Sequence, residues 1–312
     1  MINNDTEELN DSSFLSLLKK CNLCPRKCYA NRLEGELGFC RSSKEIKIAK
    51  VSLHQWEEPC VSGVLGSGTI FFSNCNLKCV FCQNHSISNE GFGKIVSIKR
   101  LSEIFLEQQK KGAHNINLVT PTHYVPQIIE ALKLAKDKGL NIPILYNSNG
   151  YENVDTIKAL RGFIDVYLPD LKYYKDKYAI KYSGAPNYFN TASKAITEMF
   201  SQVGKVKFDS SGMIQRGVII RHLMLPGLLF DSKKIIDFIY TTFNNSVYIS
   251  LMNQYVPMHE AYKYAEINKP LNPYHYDVLI NYCLSIGITK CFIQESGTSS
   301  KDFVPEFDLS DA

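Results

Sequence analysis

The sequence predicts an α/β protein in which a parallel sheet closes into a partial or complete barrel, preceded by a small cysteine-rich lobe. From about residue 66 onward, short apolar runs alternate with amphipathic stretches whose apolar residues recur at intervals of three and four. Because a parallel strand can return only through a crossover, such repeated βα units imply a parallel sheet. Residues 21–60, by contrast, hold several cysteines and too few apolar residues for a core of their own.

Seven short runs rich in β-branched or aromatic residues are the predicted strands: 69–73, 116–120, 143–147, 164–168, 217–222, 247–251 and 290–294. The predicted helices are the amphipathic stretches 98–111, 124–138, 193–203, 233–243 and 273–286. Six or seven such units fit a barrel better than a long open sheet. No G-x-G-x-x-G fingerprint follows the first strand, which argues against a doubly wound dinucleotide-binding fold.

The composition excludes several other classes of protein. The 312 residues are 45% apolar, which supports a sizeable core, and 21% charged, with a net charge of +4. This mild charge gives little reason to expect a nucleic-acid partner. No run of eighteen apolar residues occurs, and residues 1–13 are acidic and polar, so we expect a cytoplasmic protein without a membrane segment.

Ten cysteines are many for such a chain, and seven of them form two groups. In a reducing cytoplasm, clustered thiols indicate metal ligands rather than disulfides. Cys75, Cys79 and Cys82 directly follow the first predicted strand with the spacing C-x3-C-x2-C. Three thiolates can hold a 4Fe–4S cluster and leave one iron free for a small chelating molecule. The alternatives are zinc, which prefers four ligands, and three buried thiols.

The other group is nearer the amino terminus and consists of Cys21, Cys24, Cys28 and Cys40. Four thiols suffice for a closed tetrahedral site, and a structural zinc would staple a lobe that has little core. A second 4Fe–4S cluster would serve equally well and could relay electrons. Zinc, a second cluster and no metal all remain open from the sequence.

The loop at residues 74–84, with Phe81 before its last cysteine, resembles the cluster-binding loop of the radical S-adenosylmethionine (SAM) superfamily. Residues 23–26, 66–73, 82–84, 167–173 and 221–226 resemble the branch called pyruvate formate-lyase activating enzyme-like. The resemblance implies a partial (β/α)6 radical SAM barrel with a 4Fe–4S cluster on Cys75, Cys79 and Cys82. It also implies that the free iron binds SAM, which is cleaved reductively to a 5′-deoxyadenosyl radical that abstracts hydrogen.

Three hypotheses about the substrate follow. The first is a protein substrate, as for an enzyme that generates a glycyl radical, and the second is a small metabolite or peptide. The third belongs to a different class, a metal-stapled module that binds nucleic acid or protein. For a radical enzyme we expect an acidic one-electron donor of the flavodoxin or ferredoxin type, for which scattered lysines could form a docking surface.

Polar residues follow nearly every predicted strand, and in a parallel βα barrel the functional face lies at the carboxyl ends of the strands. Together with two residues of the cysteine loop they give the candidates for cofactor binding: Phe81, Asn84, Thr120, Thr122, Asn147, Asn149, Asp170, Arg221 and His222. Superfamily members often have Gly-Gly-Glu after the second strand, touching the methionine amino group. Thr120-Pro121-Thr122 stands there in this chain, so a hydroxyl or a backbone carbonyl would make that contact.

The remaining candidates each have a functional and a structural interpretation. Asn147 and Asn149 could bind ribose hydroxyls or form the turn before a glycine. Arg221 could bind the methionine carboxylate or form a structural ion pair. Asp170 and Lys172 could orient the substrate or each other. His222 could donate a proton or be a satisfied interior histidine.

The chain is predicted to divide into a cysteine-rich lobe (residues 1–65), a barrel (66–295) and an acidic tail (296–312). His54, Glu57 and Glu58 come just before the barrel, where we expect a lid or a substrate-side role. The tail is expected to be frayed.

Overall fold

A mostly parallel sheet organises the protein, as described by a computed structural model for residues 14–294 and 307–312. Within these residues the strands are β1 (Ile46–His54), β2 (Ser67–Phe72), β3 (Lys94–Val96), β4 (Ile116–Val119), β5 (Ile144–Ser148), β6 (Val166–Pro169), β7 (Lys207–Phe208), β8 (Ile214–Leu223), β9 (Tyr248–Met252) and β10 (Cys291–Ile293). The order along the sheet is β10-β9-β8-β6-β5-β4-β2-β1-β3, and β7 pairs with β8.

Every neighbouring pair from β2 to β10 in this order is parallel. β1 and β3 extend the sheet antiparallel beyond β2, and β7 pairs antiparallel with β8. Among the described residues β3 and β10 do not pair with each other, so the barrel is partial. The predicted fold class is therefore confirmed, with β10 as a seventh parallel strand beyond the six that the resemblance implies.

Helices connect the strands, and all but the two four-residue helices of the described residues pack on the outer face of the sheet. Within the described part of the chain they are α1 (Pro59–Ser62), α2 (His85–Ser88), α3 (Ile98–Lys110), α4 (Val125–Asp137), α5 (Val154–Ala159), α6 (Asp176–Ser183), α7 (Tyr188–Val203), α8 (Leu229–Phe243) and α9 (Pro273–Ser285). α3 begins after Ser97, whose hydroxyl accepts the Arg100 N–H, and α9 begins after Asn272 with proline in its first turn.

Each predicted strand and helix has its counterpart in the structure, with ends shifted by a few residues. The sequence analysis missed β1, a nine-residue strand in the stretch predicted to have too few apolar residues for a core of its own. Its buried residues Ile46, Ile48 and Val51 do not alternate strictly, because the pairing with β2 shifts register between Ile48 and Lys50. The alternation of apolar and polar residues that predicts a half-buried strand is therefore interrupted in the middle of β1.

The two faces of the parallel strands enter different apolar clusters. Ile144 and Tyr146 of β5 belong to the main core with the helices, whereas Leu145 belongs to a smaller cluster on the opposite, inner face. That inner cluster consists of Cys60, Val61, Leu145, Val166, Leu168, Ile214 and Ile219. Two residues further along β5 and β8, the inner positions become the polar Asn147 and Arg221. The barrel is therefore filled at one end and polar at the carboxyl ends of its strands.

The described part of the cysteine-rich lobe packs over the loops that follow β4 and β5. The buried Arg32 donates from Nη1 to the His123 carbonyl (2.6 Å). Thr156 Oγ1 donates to the Leu23 carbonyl (2.7 Å). Because β1 joins the main sheet, the predicted boundary at residue 65 separates segments that share one sheet, and that boundary stays a prediction.

Residues 307–312 pack against β1 and β2. The ring of Phe307 meets Phe71 edge to face at 5.5 Å, and the Val51 N–H donates to the Ser310 carbonyl (3.1 Å). The expectation of a frayed tail is wrong for these six residues, while residues 1–13 and 295–306 lie outside the described part. In the described residues no helix has the length and apolar character needed to cross a bilayer.

Candidate active site

A cavity of about 420 Å³ opens at the carboxyl ends of the parallel strands. All three cysteines of the loop at residues 74–84 line it. So do seven of the nine other predicted site residues, namely Phe81, Asn84, Thr120, Asn147, Asn149, Asp170 and Arg221. The structure therefore brings together side chains that come from four different strand ends and from the cysteine loop.

Backbone hydrogen bonds hold the cysteine loop (residues 74–84) against α6. The Lys78 N–H donates to the Ser183 carbonyl (3.1 Å) and the Val80 N–H to the Tyr182 carbonyl (2.9 Å). Asn74 opens the loop with a φ of +74°, a left-handed conformation that asparagine tolerates better than most residues. The loop thus leaves β2 through a sharp turn and is fixed at its middle.

Each thiol of the loop has at least one polar side-chain partner. Asn149 Nδ2 donates to Cys75 Sγ (3.3 Å). Cys79 Sγ lies 3.0 Å from Ser183 Oγ, and Cys82 Sγ lies 3.2 Å from Ser88 Oγ. Donors of this kind stabilise a thiolate and tune a metal that the thiolate binds. The sequence analysis named Asn149 but missed both serines, since Ser183 lies 104 residues from its partner and belongs to no motif.

Burial raises the pKa of Cys75 to about 11 and that of Cys79 to about 12, and it raises the pKa of Cys82 as well. Free thiols in this environment would stay protonated at neutral pH. A metal would displace these protons, because a coordinating thiol is deprotonated. The soft sulfur donors are the ligands that iron–sulfur clusters use, so the residues present fit such a group.

No three cysteine, histidine or acidic side chains of the described ranges are gathered tightly enough to hold a single metal ion. A 4Fe–4S cluster does not require such a gathering, because each of its cysteines binds a different iron. The four cysteines of the lobe are spread from buried (Cys24, Cys40) to exposed (Cys28). Their metal, whether zinc or a second cluster, stays a prediction.

Arg221 lies at the centre of an ion-pair network on the cavity wall. Its Nε donates to Glu58 Oε1 (2.9 Å), and its Nη2 contacts both Glu57 and Glu58. Burial by itself raises the pKa of Glu58, but the charge and hydrogen bonds of Arg221 outweigh burial and lower it. These contacts match the structural ion pair that the sequence left open for Arg221, and they place Glu57 at the cavity.

Two predicted site residues lie outside the cavity. His222 follows Arg221 on β8 and therefore faces the opposite side, where its ring nitrogens contact the Leu171 carbonyl (2.7 Å) and Ser232 Oγ (2.9 Å). Burial lowers its pKa to about 4. The Thr122 hydroxyl is buried and donates to Glu152 Oε1 (2.7 Å). The structure gives neither side chain access to a bound cofactor, and we do not carry them into the proposed site.

The turn after β5 shows the structural interpretation of Asn149, while ribose binding by Asn147 and Asn149 stays a prediction. Asn149 Oδ1 accepts the Tyr151 N–H (2.9 Å), the hydrogen bond of an asparagine turn. The same side chain donates to Cys75, as described above, so the turn also positions a cysteine partner. Asp170, at the end of β6, pairs with Lys172, and both side chains face the cavity.

The fold and the cavity define a partial α/β barrel with three cysteines at the carboxyl ends of its strands. Residues 69–239 match the family described as the radical SAM superfamily, and they make up more than half of the chain. This protein belongs to the radical SAM superfamily, which implies a 4Fe–4S cluster and SAM as cofactors.

Two similar proteins are described as uncharacterized. The uncharacterized protein MJ0674 of Methanocaldococcus jannaschii is 35% identical over 266 residues, covering 82% of this chain and 72% of the relative. The uncharacterized protein MJ0808 of the same organism is 24% identical over 190 residues, covering 55% of this chain and 53% of the relative.

Among solved structures, Streptococcus suis SuiB bound to the precursor peptide SuiA is similar in fold. It has a TM-score of 0.51 and 15% sequence identity over 72% of this chain. This chain spans about half the length of SuiB, 47%. The similarity therefore concerns the barrel and not the whole of SuiB.

Proposed function

We propose that Cys75, Cys79 and Cys82 hold the 4Fe–4S cluster of this enzyme, that SAM occupies the adjoining cavity, and that the enzyme abstracts hydrogen from a peptide or protein. The observation that carries this proposal is the convergence of three thiols, each with its own polar partner, on one cavity at the carboxyl ends of the strands. When bound, the cluster supplies the electron that cleaves SAM to a 5′-deoxyadenosyl radical.

The chain's own residues orient the cofactors and limit the access of water. Asn147 presents an amide group that suits a ribose hydroxyl of SAM, whereas the Asn149 amide already bonds to Cys75, Asn76 and the Tyr151 N–H and has only a spare oxygen lone pair to offer. Phe81 is 7% exposed and packs edge to face on Tyr255 at 5.8 Å, which closes the wall beside the last two cysteines. Thr120 offers a hydroxyl and a carbonyl for the methionine amino group.

A peptide or protein substrate is favoured over a small metabolite by the cavity mouth. Trp56, the single tryptophan of the chain, lines the cavity and is 66% exposed. A large exposed aromatic side chain at the rim is typical of a contact surface for a macromolecule. SuiB, which shares the barrel fold, is seen with a precursor peptide. A role in activating a glycyl-radical enzyme is one form of this proposal, and a small metabolite remains the second candidate.

The cysteine-rich lobe is proposed to hold a second metal centre and to receive electrons. It touches the cysteine loop directly, because Arg26 Nε donates to the Asn76 carbonyl (2.9 Å). Residues 1–65 carry nine basic and nine acidic residues in all, but residues 14–45 carry seven lysines and arginines and only three glutamates. This local positive excess suits an acidic electron donor. Metal analysis of Cys24→Ala tests this assignment: it should lose zinc or iron relative to the wild type, and unchanged metal content would contradict it.

Anaerobic reconstitution with iron and sulfide, followed by dithionite and SAM, tests the proposed function. The wild type should release 5′-deoxyadenosine, and Cys79→Ala should release none, because it removes a cluster ligand. Cys291→Ala is the matched control, since Cys291 is partly buried in β10 outside the cavity, and it should keep the wild-type rate. Equal product from Cys79→Ala and the wild type would contradict the assignment of the site.

A further inference from the structure

The ion pairs on the cavity wall are not balanced. Asp170 is matched by Lys172, but the single guanidinium of Arg221 faces two carboxylates, Glu57 and Glu58. Burial, the largest effect, lowers the pKa of His54, so this neighbouring ring adds no positive charge at neutral pH. Together with Glu58, which is buried behind the cavity lining, the charged groups of this wall in the described structure therefore include one carboxylate more than their cations.

Local structure directs that excess carboxylate into the cavity. The chain leaves β1 at His54 and turns at once into α1, where the Glu57 N–H donates to Ser62 Oγ (3.0 Å) and the Val61 N–H to the Glu58 carbonyl (2.7 Å). This tight turn fixes the two glutamates on either side of Arg221. Glu58 is the more deeply buried, whereas Glu57 lines the cavity.

A second observation points to a missing donor beside Glu57. Asn117 on β4 is fully buried, lies behind Glu57 rather than in the cavity lining, and donates from Nδ2 to Glu57 Oε1 (2.8 Å). Its Oδ1 has no hydrogen-bond partner within the described structure. Buried acceptors of this kind are normally satisfied, because an unpaired buried polar atom is costly. The Glu57–Asn117 pair thus combines a surplus negative charge with an amide acceptor that lacks a donor.

We infer that the cavity takes a substrate bearing a primary ammonium or guanidinium group, which binds Glu57 beside Asn117. Such a group brings positive charge and several N–H donors, which are what this wall lacks. The exposed indole of Trp56, the residue before Glu57, offers a face for the same cation. The inference rests on the proposed function for the identity of the cavity as the substrate site, and it narrows the substrate class.

Fluorescence of Trp56 gives a direct binding assay, because it is the only tryptophan and lies at the cavity. The probes are N-acetyl-lysine amide and N-acetyl-arginine amide, with Nε-acetylated N-acetyl-lysine amide as the uncharged control. Butylamine distinguishes a free amine from a peptide side chain. The reconstituted wild type should bind the best cationic probe at least tenfold more tightly than the uncharged control.

Glu57→Gln should reduce this preference at least tenfold. Glu130→Gln, on α4 and outside the cavity lining, should leave it intact. A wild-type preference below tenfold, the absence of cation binding, or a preference that survives Glu57→Gln would overturn the inference. The wild-type comparison stays decisive if Glu57→Gln does not fold. Failure of the proposed function would appear separately, as no 5′-deoxyadenosine from iron-loaded wild type.

Discussion

Hydrogen bonds to cysteine sulfur help to set the reduction potential of an iron–sulfur cluster. Here every thiol of the cysteine loop has at least one such contact, from Asn149, Ser183 or Ser88. Ser183 is itself held by the Tyr173 hydroxyl at 2.7 Å. These partners are proposed to tune the cluster as well as to orient its ligands.

Asn149→Ala should lower the reduction potential of the cluster. The amide at 3.3 Å from Cys75 Sγ stabilises the more negative reduced state, so its loss makes reduction harder by an amount on the order of tens of millivolts. A redox titration followed by electron paramagnetic resonance (EPR) measures this shift. Asn190→Ala, an exposed change on α7, is the control. An unchanged potential in Asn149→Ala would show that this contact does not act on the cluster.

Glu152 is a buried acid whose importance the sequence did not signal. Burial, which outweighs hydrogen bonds from Thr122, Ser148 and Tyr146, raises its pKa to about 7. Because the folded-state pKa lies above the unfolded value of about 4.3, this group's contribution to stability is fully present below that value. It is lost as the pH rises through about 7, where the buried carboxylate must carry charge.

Glu152→Gln should therefore become more stable relative to the wild type as the pH rises from 4.5 to 8. The difference in the free energy of unfolding should grow by on the order of 3 kcal/mol, given 1.36 kcal/mol for each unit of pKa shift. Urea unfolding at several pH values measures it, with Glu130→Gln as the control. Parallel pH curves for Glu152→Gln and the wild type would contradict the raised pKa.

The candidate ligands were predictable residue by residue, whereas their partners were not. Cys75, Cys79 and Cys82 have a diagnostic spacing within eight residues, and Asn149 follows a predicted strand. Ser88 and Asn117 have no local signal, because only the folded chain brings them to Cys82 and Glu57. His222 looked equivalent to Arg221 as a strand-end residue, yet adjacent residues of a strand face opposite sides.

At the level of single elements, the turn between β5 and α5 carries a steric requirement. Gly150 has a φ of +76°, and a Cβ built there would lie 2.1 Å from the Asp170 carbonyl oxygen. This close approach holds the turn of Asn149 against the end of β6. The glycine therefore allows two neighbouring strand ends to meet at the cavity.

Gly150→Ala should destabilise the protein by at least ~2 kcal/mol more than Gly139→Ala. Both glycines have positive φ, but a Cβ at Gly139 meets nothing within 4 Å, so this variant isolates the cost of the left-handed backbone. Thermal or urea unfolding compares the two. Equal losses of stability would mean that the contact with Asp170 is unimportant.

Elements with a clear period were predictable, and those that depend on pairing were not. The apolar repeat gave α4 within one residue at each end, and the β-branched runs gave all seven parallel strands. β1 was not predicted because its pairing with β2 contains a register shift, and β3 was not predicted because it has only three residues. Because β1 was not predicted, the position of Glu57 at the barrel could not be predicted either.

Across the whole molecule, three separate parts of the chain meet at the sheet that carries the cysteine loop. The lobe contributes Arg26, the barrel contributes the strand ends, and the segment 307–312 covers β1 and β2. The ion pair between Arg221 and Glu58 joins residues 163 positions apart. Such long-range pairing determines the charge of the cavity, and no local pattern in the sequence reveals it.

The account depends most on a cluster that three cysteines hold and that has one iron open to SAM. The EPR spectrum of anaerobically reconstituted, dithionite-reduced protein, recorded before and after SAM is added, tests this most directly. A 4Fe–4S signal that changes with SAM and is lost when Cys75, Cys79 and Cys82 are all replaced by alanine is the predicted result. An EPR signal that does not change when SAM is added, or that is still present after the triple replacement, would contradict this assignment.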